Sequence, residues 1–398
     1  MNDDAKKLDI ATRLVHAGER EPMPGGQPCS TPIYATSTFT YGSMQEIDRV
    51  FSGEQPGYVY TRHGNPTLAA LEHAMLDVEE GAAACVYASG MAALHAALLA
   101  CDLKAGSTVL SSQDVYGATT NLLLTVFSSF GVKTVTADFS DIDQLREKAR
   151  EVKPLVMVAE TISNPLLKVC DIEAVAEIAR ENKARLIIDN TFASPFLCQP
   201  LKLGADMVVH SATKYLGGHA DATGGVVISR DEFDGTALIG AMKLVGGVLG
   251  VWDAHTILRG VKTLGLRMER QCDSARRLAE RLNGHHRLAR VYYPTLTERG
   301  AELAQRILRA PHAGALVAIE LKEQTRDAAF RFMDALQLCV RATSLGDVFT
   351  GVLHAASASH RDLTPARRAE LGISEGLVRI SVGIESIDDI IADVEQAL

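Results

Sequence analysis

No apolar run in this chain reaches the ~20 residues that a membrane-spanning helix needs. Residues Met1 to Lys7 include acids and are followed by no apolar core of signal-peptide length, so no secretory leader is expected. A basic cluster is missing too: 40 Lys and Arg are outnumbered by 49 Asp and Glu, for a net charge of -9. A nucleic-acid groove would normally need a local surplus of the opposite sign. The seven cysteines (Cys29, Cys85, Cys101, Cys170, Cys198, Cys272 and Cys339) are odd in number and never spaced C-x-x-C. This excludes a disulfide framework and a zinc ribbon and fits free thiols in a reducing compartment. The twelve histidines are dispersed as well; His285 and His286 follow Asn283-Gly284 and are expected in an exposed turn, so no metal site is expected. There is no repeat or low-complexity tract. What remains is 398 residues, 47% hydrophobic, enough for one large core and a second, smaller one. A cytoplasmic enzyme is the expectation.

Residues 1–55 hold Pro22, Pro24, Gly25, Gly26, Pro28 and Pro32 and little periodicity, and are expected to form an arm lying on the body or on a partner subunit. Gly64-Asn65-Pro66 marks a turn and a helix start. From there strands and helices alternate. Strands are predicted at 107–111, 132–136, 154–160, 185–189, 206–210 and 224–229, and helices at 117–130, 141–151, 171–182 and 232–244. This pattern predicts an α/β fold with a mostly parallel sheet, flanked by helices, whose ligands sit at the carboxyl ends of the strands. Near residue 250 the pattern changes. A long helix over 252–282 leads to strands at 289–293, 314–321, 338–342 and 376–382, with helices at 324–336 and 386–397. The expected division is an arm (1–55), a large domain (56–250) and a smaller C-terminal α+β domain (251–398).

The most informative stretch runs from Leu186 to His219. Its first apolar strand stops at Asp189; its second, Met207-Val208-Val209, stops at His210-Ser211-Ala212-Thr213-Lys214. An acid for a ring nitrogen, a lysine able to form an imine and hydroxyls for a phosphate are what pyridoxal phosphate (PLP) asks of a protein. The plainer alternative is a strand-end ion pair with a surface lysine. Other predicted strand ends carry Ser89-Gly90, Asp114-Val115-Tyr116-Gly117 and Glu160-Thr161-Ile162-Ser163-Asn164-Pro165, and a Ser-Gly turn entering a helix can cradle a phosphate.

Taken together with Tyr60-Thr61-Arg62, Leu258-Arg259-Gly260 and Gly376-Leu377-Val378-Arg379, these motifs resemble the Cys/Met-metabolism family of PLP enzymes along nearly the whole chain. The resemblance implies PLP fold type I with a seven-stranded sheet. It implies that Lys214 attaches to the cofactor aldehyde and shuttles protons, that Asp189 pairs with the pyridinium nitrogen, and that Gly90, Met91, Ser211 and Thr213 hold the phosphate. Tyr60 and Arg62 would come to that phosphate from an adjacent subunit, in a dimer or tetramer. Tyr116 would stack on the ring and serve as acid/base near the leaving group. Arg379 would grip the substrate α-carboxylate, assisted by Asn164 and Ser344, in a planar geometry that Lys cannot supply.

Family members that act on cystathionine typically have Glu directly before Ser-Leu-Gly; this chain has Thr343 before Ser344-Leu345-Gly346. An ammonium buried there without a countercharge would be costly, which favours an uncharged substrate tail. Asp347 is a candidate to replace the missing carboxylate. Ala118 and Leu244 stand where relatives that cleave methionine usually have Cys and Asp. The expected activity is γ-elimination from methionine, homocysteine or cystathionine. The alternatives are a γ-replacement transferase and a PLP-binding protein without catalysis.

Overall fold

The computed structural model describes residues 8–20 and 26–398. Residues 1–7 and 21–25, with Pro22, Pro24 and Gly25 of the expected arm, lie outside the described residues. The first sheet has seven strands: β1 (Ala83–Tyr87), β2 (Thr108–Ser112), β3 (Lys133–Ala137), β4 (Val156–Glu160), β5 (Arg185–Asp189), β6 (Met207–Ser211) and β7 (Gly225–Ser229). Their order is β1-β7-β6-β5-β4-β2-β3; β7 runs antiparallel to both neighbours and the other pairings are parallel. In β5, Leu186 and Ile188 enter one apolar core while Ile187 enters the core on the opposite face. Side chains alternate across a strand, so a strand covered on both faces reads as an unbroken apolar run.

The second sheet has β8 (Leu288–Tyr292), β9 (Leu316–Leu321), β10 (Val340–Arg341), β11 (Gly351–His354) and β12 (Leu377–Ser381), in the order β10-β11-β12-β9-β8. It is antiparallel except for β10 with β11. Its inner residues, such as Val317, Ile319, Val378 and Ile380, belong to the same core as Leu186 and Ile188.

Three expectations need correction. The long helix over 252–282 is two helices, Val251–Val261 and Leu264–Leu282. Arg267 is the reason: its guanidinium takes the Gly260 carbonyl at 2.8 Å and the Thr263 hydroxyl at 3.1 Å, competing for the bonds that would continue the first helix. The same side chain donates to the Tyr215 carbonyl at 2.8 Å, so the break also pins the loop after β6. Residues 1–55 are not devoid of regular structure, because Ile10–His16 and Met44–Ser52 are helices. The first begins at an Asp9 cap, buries Ile10 and Leu14, and packs on the helices Pro66–Glu79 and Leu264–Leu282. Finally, β11 and the helix Glu298–Ile307 were not predicted. No helix of the described residues is long and apolar enough to cross a membrane.

Candidate functional site

The carboxyl ends of β1, β2, β4, β5 and β6 open on a cleft of about 480 Å³, closed from the other side by residues 343–359 and Arg379 of β12. Each group arrives by a local cause. Ser89 caps the helix Gly90–Ala100 by accepting from the Ala92 N–H at 3.1 Å. The amides of Gly90 and Met91 head that helix, where no helical carbonyl can reach them, and both residues line the cleft. A Cβ on Gly90 would lie 2.7 Å from the Ser211 Cβ, so glycine lets the helix start press against the end of β6. Ser211 and Thr213 line the same end. The Thr213 hydroxyl is also engaged with Gly224, donating to its carbonyl at 3.2 Å and accepting from its N–H at 3.1 Å.

Asp189 ends β5 inside the cleft. Burial raises its carboxyl above the usual range; the Thr191 hydroxyl and N–H, the latter at 2.9 Å, and the more distant His210 act against that rise. Among the described residues no Lys or Arg forms an ion pair with it. Lys214 follows β6 and points its Nζ at the Ser344 Oγ, 3.3 Å away. Burial lowers the amine below the ordinary lysine value, Arg379 pushes it the same way, and Asp347 partly opposes them. Arg379 is buried on β12, and burial takes its guanidinium down to about 10. It donates to the Asn164 Oδ1 at 2.9 Å and to the Ser344 carbonyl at 3.3 Å, while its Nε is buried with no partner. Tyr116, 40% exposed, and Thr343, at the rim, complete the set.

The cleft thus gathers Gly90, Met91, Tyr116, Asn164, Asp189, Ser211, Thr213, Lys214, Thr343 and Arg379 from across the chain; Ser344 reaches it through Lys214 and Arg379. Tyr60 and Arg62 are not among the residues lining it. Both are exposed and lie together, with the guanidinium 5.6 Å from the Tyr60 ring centre, and Arg62 donates to the Lys243 carbonyl. Leu244, 90% exposed, therefore sits beside them and not in this cleft. Asp347 does not replace the carboxylate missing at Thr343. Gly346, at φ +80°, turns the chain inward against Tyr215, and Asp347 is buried outside the cleft lining, near Lys214, Ser344 and His219.

Four polar cleft residues were missed as functional candidates: Glu160, Thr191, Thr223 and Ser359. Glu160 was visible as a polar strand end. The Thr191 hydroxyl accepts from the Ser211 N–H at 2.8 Å and so links the ends of β5 and β6, a contact between segments 20 residues apart that no local pattern marks. Ser359 lies in a loop with no local signal.

This donor set fits PLP on the structure's own terms. A buried carboxylate without a cation suits a protonated ring nitrogen, and a helix N-terminus with flanking hydroxyls suits a phosphate. The amine of depressed basicity suits imine formation, and the unpaired Arg379 Nε suits an amino-acid carboxylate.

Comparison with known proteins agrees. The model of the Cys/Met metabolism PLP-dependent enzyme family matches residues 11–398. The L-methionine gamma-lyase of Fusobacterium nucleatum subsp. polymorphum is 42% identical over 398 residues, covering 99% of each chain. That of Pseudomonas putida is 43% identical over 400 residues, covering 100% of this chain and 99% of its own. A crystal structure of cystathionine gamma synthase from Xanthomonas oryzae pv. oryzae, in complex with aminoacrylate and cysteine, superposes with a TM-score of 0.91 at 35% identity, covering 98% of this chain and 97% of that one. The chain belongs to the Cys/Met metabolism family of PLP-dependent enzymes.

Proposed function

We propose that the protein is a carbon–sulfur γ-lyase, cleaving methionine or homocysteine first and cystathionine second, with water, to a 2-oxo acid, ammonia and a thiol, or hydrogen sulfide from homocysteine. One observation carries this reading. The charged groups lining the cleft are Glu160, Asp189, Lys214 and Arg379, and the rest of the wall includes Ile162, Phe192, Leu345, Leu353 and Ala358. Cofactor and amino-acid head use up Asp189, Lys214 and Arg379, which leaves an apolar wall for an uncharged thioether or thiol tail.

Bound PLP supplies an electron sink for the electrons released when the substrate's Cα–H bond breaks. The protein does the rest. Asp189 keeps the ring nitrogen protonated, and the Gly90 and Met91 amides with Ser211 and Thr213 hold the phosphate. The Arg379 guanidinium orients the α-carboxylate, with Asn164 and the Ser344 carbonyl holding its plane. Lys214, with its amine held toward the neutral form, takes the α-proton and returns one later in the sequence. The Tyr116 phenol gives a proton to the departing sulfur. Tyr60, Arg62 and Leu244 form one exposed group, and we assign it to the phosphate end of a second copy's cleft, in a dimer or a tetramer of dimers. The arm (1–55), cofactor-binding (56–250) and C-terminal (251–398) division is part of the same proposal; β1–β7 and β8–β12 fall on either side of residue 250. The seven free thiols support a cytoplasmic setting.

The second reading, γ-replacement on an O-acylated homoserine, is favoured by the likeness to cystathionine gamma synthase. Incubating the pure holoenzyme with methionine, homocysteine, cystathionine, and O-succinyl- or O-acetylhomoserine plus thiol separates the two. 2-Oxobutyrate from methionine, homocysteine or cystathionine supports the lyase; a yield confined to the acylhomoserines sinks it.

A further inference from the structure

Glu160 closes β4 and is the register partner of Asp189 on β5, yet the chemistry above gives it no task. Its carboxyl accepts from the Tyr116 N–H at 2.6 Å and lies beside the backbone N–H of Asn164, which favours its charged form. These amides belong to separate segments, one after β2 and one after β4. The first is tied down again two residues earlier, where the Lys168 Nζ meets the Asp114 carboxylate at 3.0 Å. From Asn164 the contacts continue through Arg379 and Ser344 to the Lys214 Nζ. Glu160 therefore touches the backbone of both the expected leaving-group acid and the residue that holds the carboxylate-binding arginine.

A carboxyl is an expensive way to fill this position. It is buried beside Asp189, with Asp114 close enough to add repulsion; Arg379, which the Tyr116 phenol also approaches, is the cation that faces it. An apolar side chain would fill the space at less cost but could not hold two converging amides. We propose that Glu160 is a positioning residue, which sets the Tyr116 phenol and the Asn164–Arg379 clamp in one frame so that both act on the same bound substrate. Misplacing a catalytic group by about 1 Å costs on the order of 10²-fold in rate, so this frame has kinetic weight.

The inference rests on the elimination reading, and the two fail differently. An unaltered holoenzyme that forms no 2-oxobutyrate sinks the lyase; an active parent whose Glu160 variants behave like it sinks only the positioning role. Glu160→Gln keeps the shape but removes the charge and one acceptor oxygen, which weakens the hold on the Tyr116 and Asn164 amides. Steady-state kinetics are measured for Glu160→Gln, Tyr116→Phe and the double variant. Cofactor content is read from the visible absorbance, and binding of L-2-aminobutyrate, which has no γ-leaving group, from its change. With Glu160→Gln, kcat is expected to fall about 10- to 100-fold with cofactor retained, and 2-aminobutyrate to bind several-fold more weakly. In kcat at saturating substrate the double variant should be little slower than Tyr116→Phe, because the phenol that Glu160 positions is already gone, while the weaker hold of the Asn164–Arg379 clamp shows in 2-aminobutyrate binding. Kinetics within about twofold of the parent, or kcat losses that multiply in the double variant, overturn the proposal. If Glu160→Gln does not fold, Glu160→Asp, which keeps both acceptors but retracts them by one methylene, faces the same non-additivity requirement.

Discussion

The two sheets meet the cleft in different ways. The seven-stranded sheet brings five strand ends to one edge, so its chemistry follows from topology: Glu160, Asp189 and Ser211 each end a strand at the site. The five-stranded sheet contributes Arg379 and Leu353 from within buried strands, with Thr343, Leu345, Ala358 and Ser359 from the flanking segments. Under the proposed function the first sheet carries the cofactor groups, and the second carries the arginine for the substrate carboxylate. Substitutions in the first should abolish the chemistry, and those in the second should grade it.

The largest effect is expected at the end of β6. Lys214→Ala should lower turnover by about 10⁴-fold or more and remove the visible imine absorbance, whereas melting should stay near that of the parent. A persistent imine band would place the attachment on another lysine. A full loss of folding would break the distinction between chemistry and scaffold at this edge.

On the other sheet, Arg379→Lys keeps the charge but loses the planar fork and leaves Asn164 and the Ser344 carbonyl short of donors. KM for methionine should rise by about 10²-fold, with cofactor content unchanged. A loss of cofactor instead would mean that the second sheet also governs PLP binding. Thr343→Glu, at the exposed rim, is a gentler probe. It should shift kcat/KM toward cystathionine over methionine by on the order of tenfold, about 1.4 kcal/mol, by giving the distal ammonium a countercharge. No shift would place that ammonium elsewhere in the cleft.

This asymmetry also explains what could be read in advance. Unbroken apolar runs such as Leu186-Ile187-Ile188 and Met207-Val208-Val209 announced buried parallel strands, and the residues that stopped them announced the cofactor groups. β11, Gly351-Val352-Leu353-His354, is as buried but follows a turn-rich stretch whose bonds come from far away: Glu385 accepts from the Thr350 N–H and hydroxyl. The helix break at Lys262–Thr263 depends on Arg267 reaching back to Gly260 and across to Tyr215, which no local pattern reveals. Asp347 failed as a substitute carboxylate for a similar reason. Its place four residues after Thr343 says nothing of the inward turn at Gly346.

The smallest effect tests whether charge on the first sheet matters only at its chemical edge. Glu72, on the helix Pro66–Glu79, lies outside the cleft lining and accepts from the Val86 N–H of β1 at 3.1 Å. Burial pushes its carboxyl up from 4.5 to about 7. The folded protein thus binds this proton more tightly than the unfolded chain does. Its stabilising contribution is fully present below about pH 4.5 and is lost as pH rises through about 7. Because the residue is partly exposed, solvent screening discounts the contribution to about 1 kcal/mol, or about 1–2 °C in Tm between pH 5.5 and 8.5. Glu72→Gln should flatten that slope in differential scanning fluorimetry while leaving kcat within about twofold. A variant that kept the slope would assign it to another group, and one that lost activity would show that the scaffold away from the cleft tunes the chemistry as well.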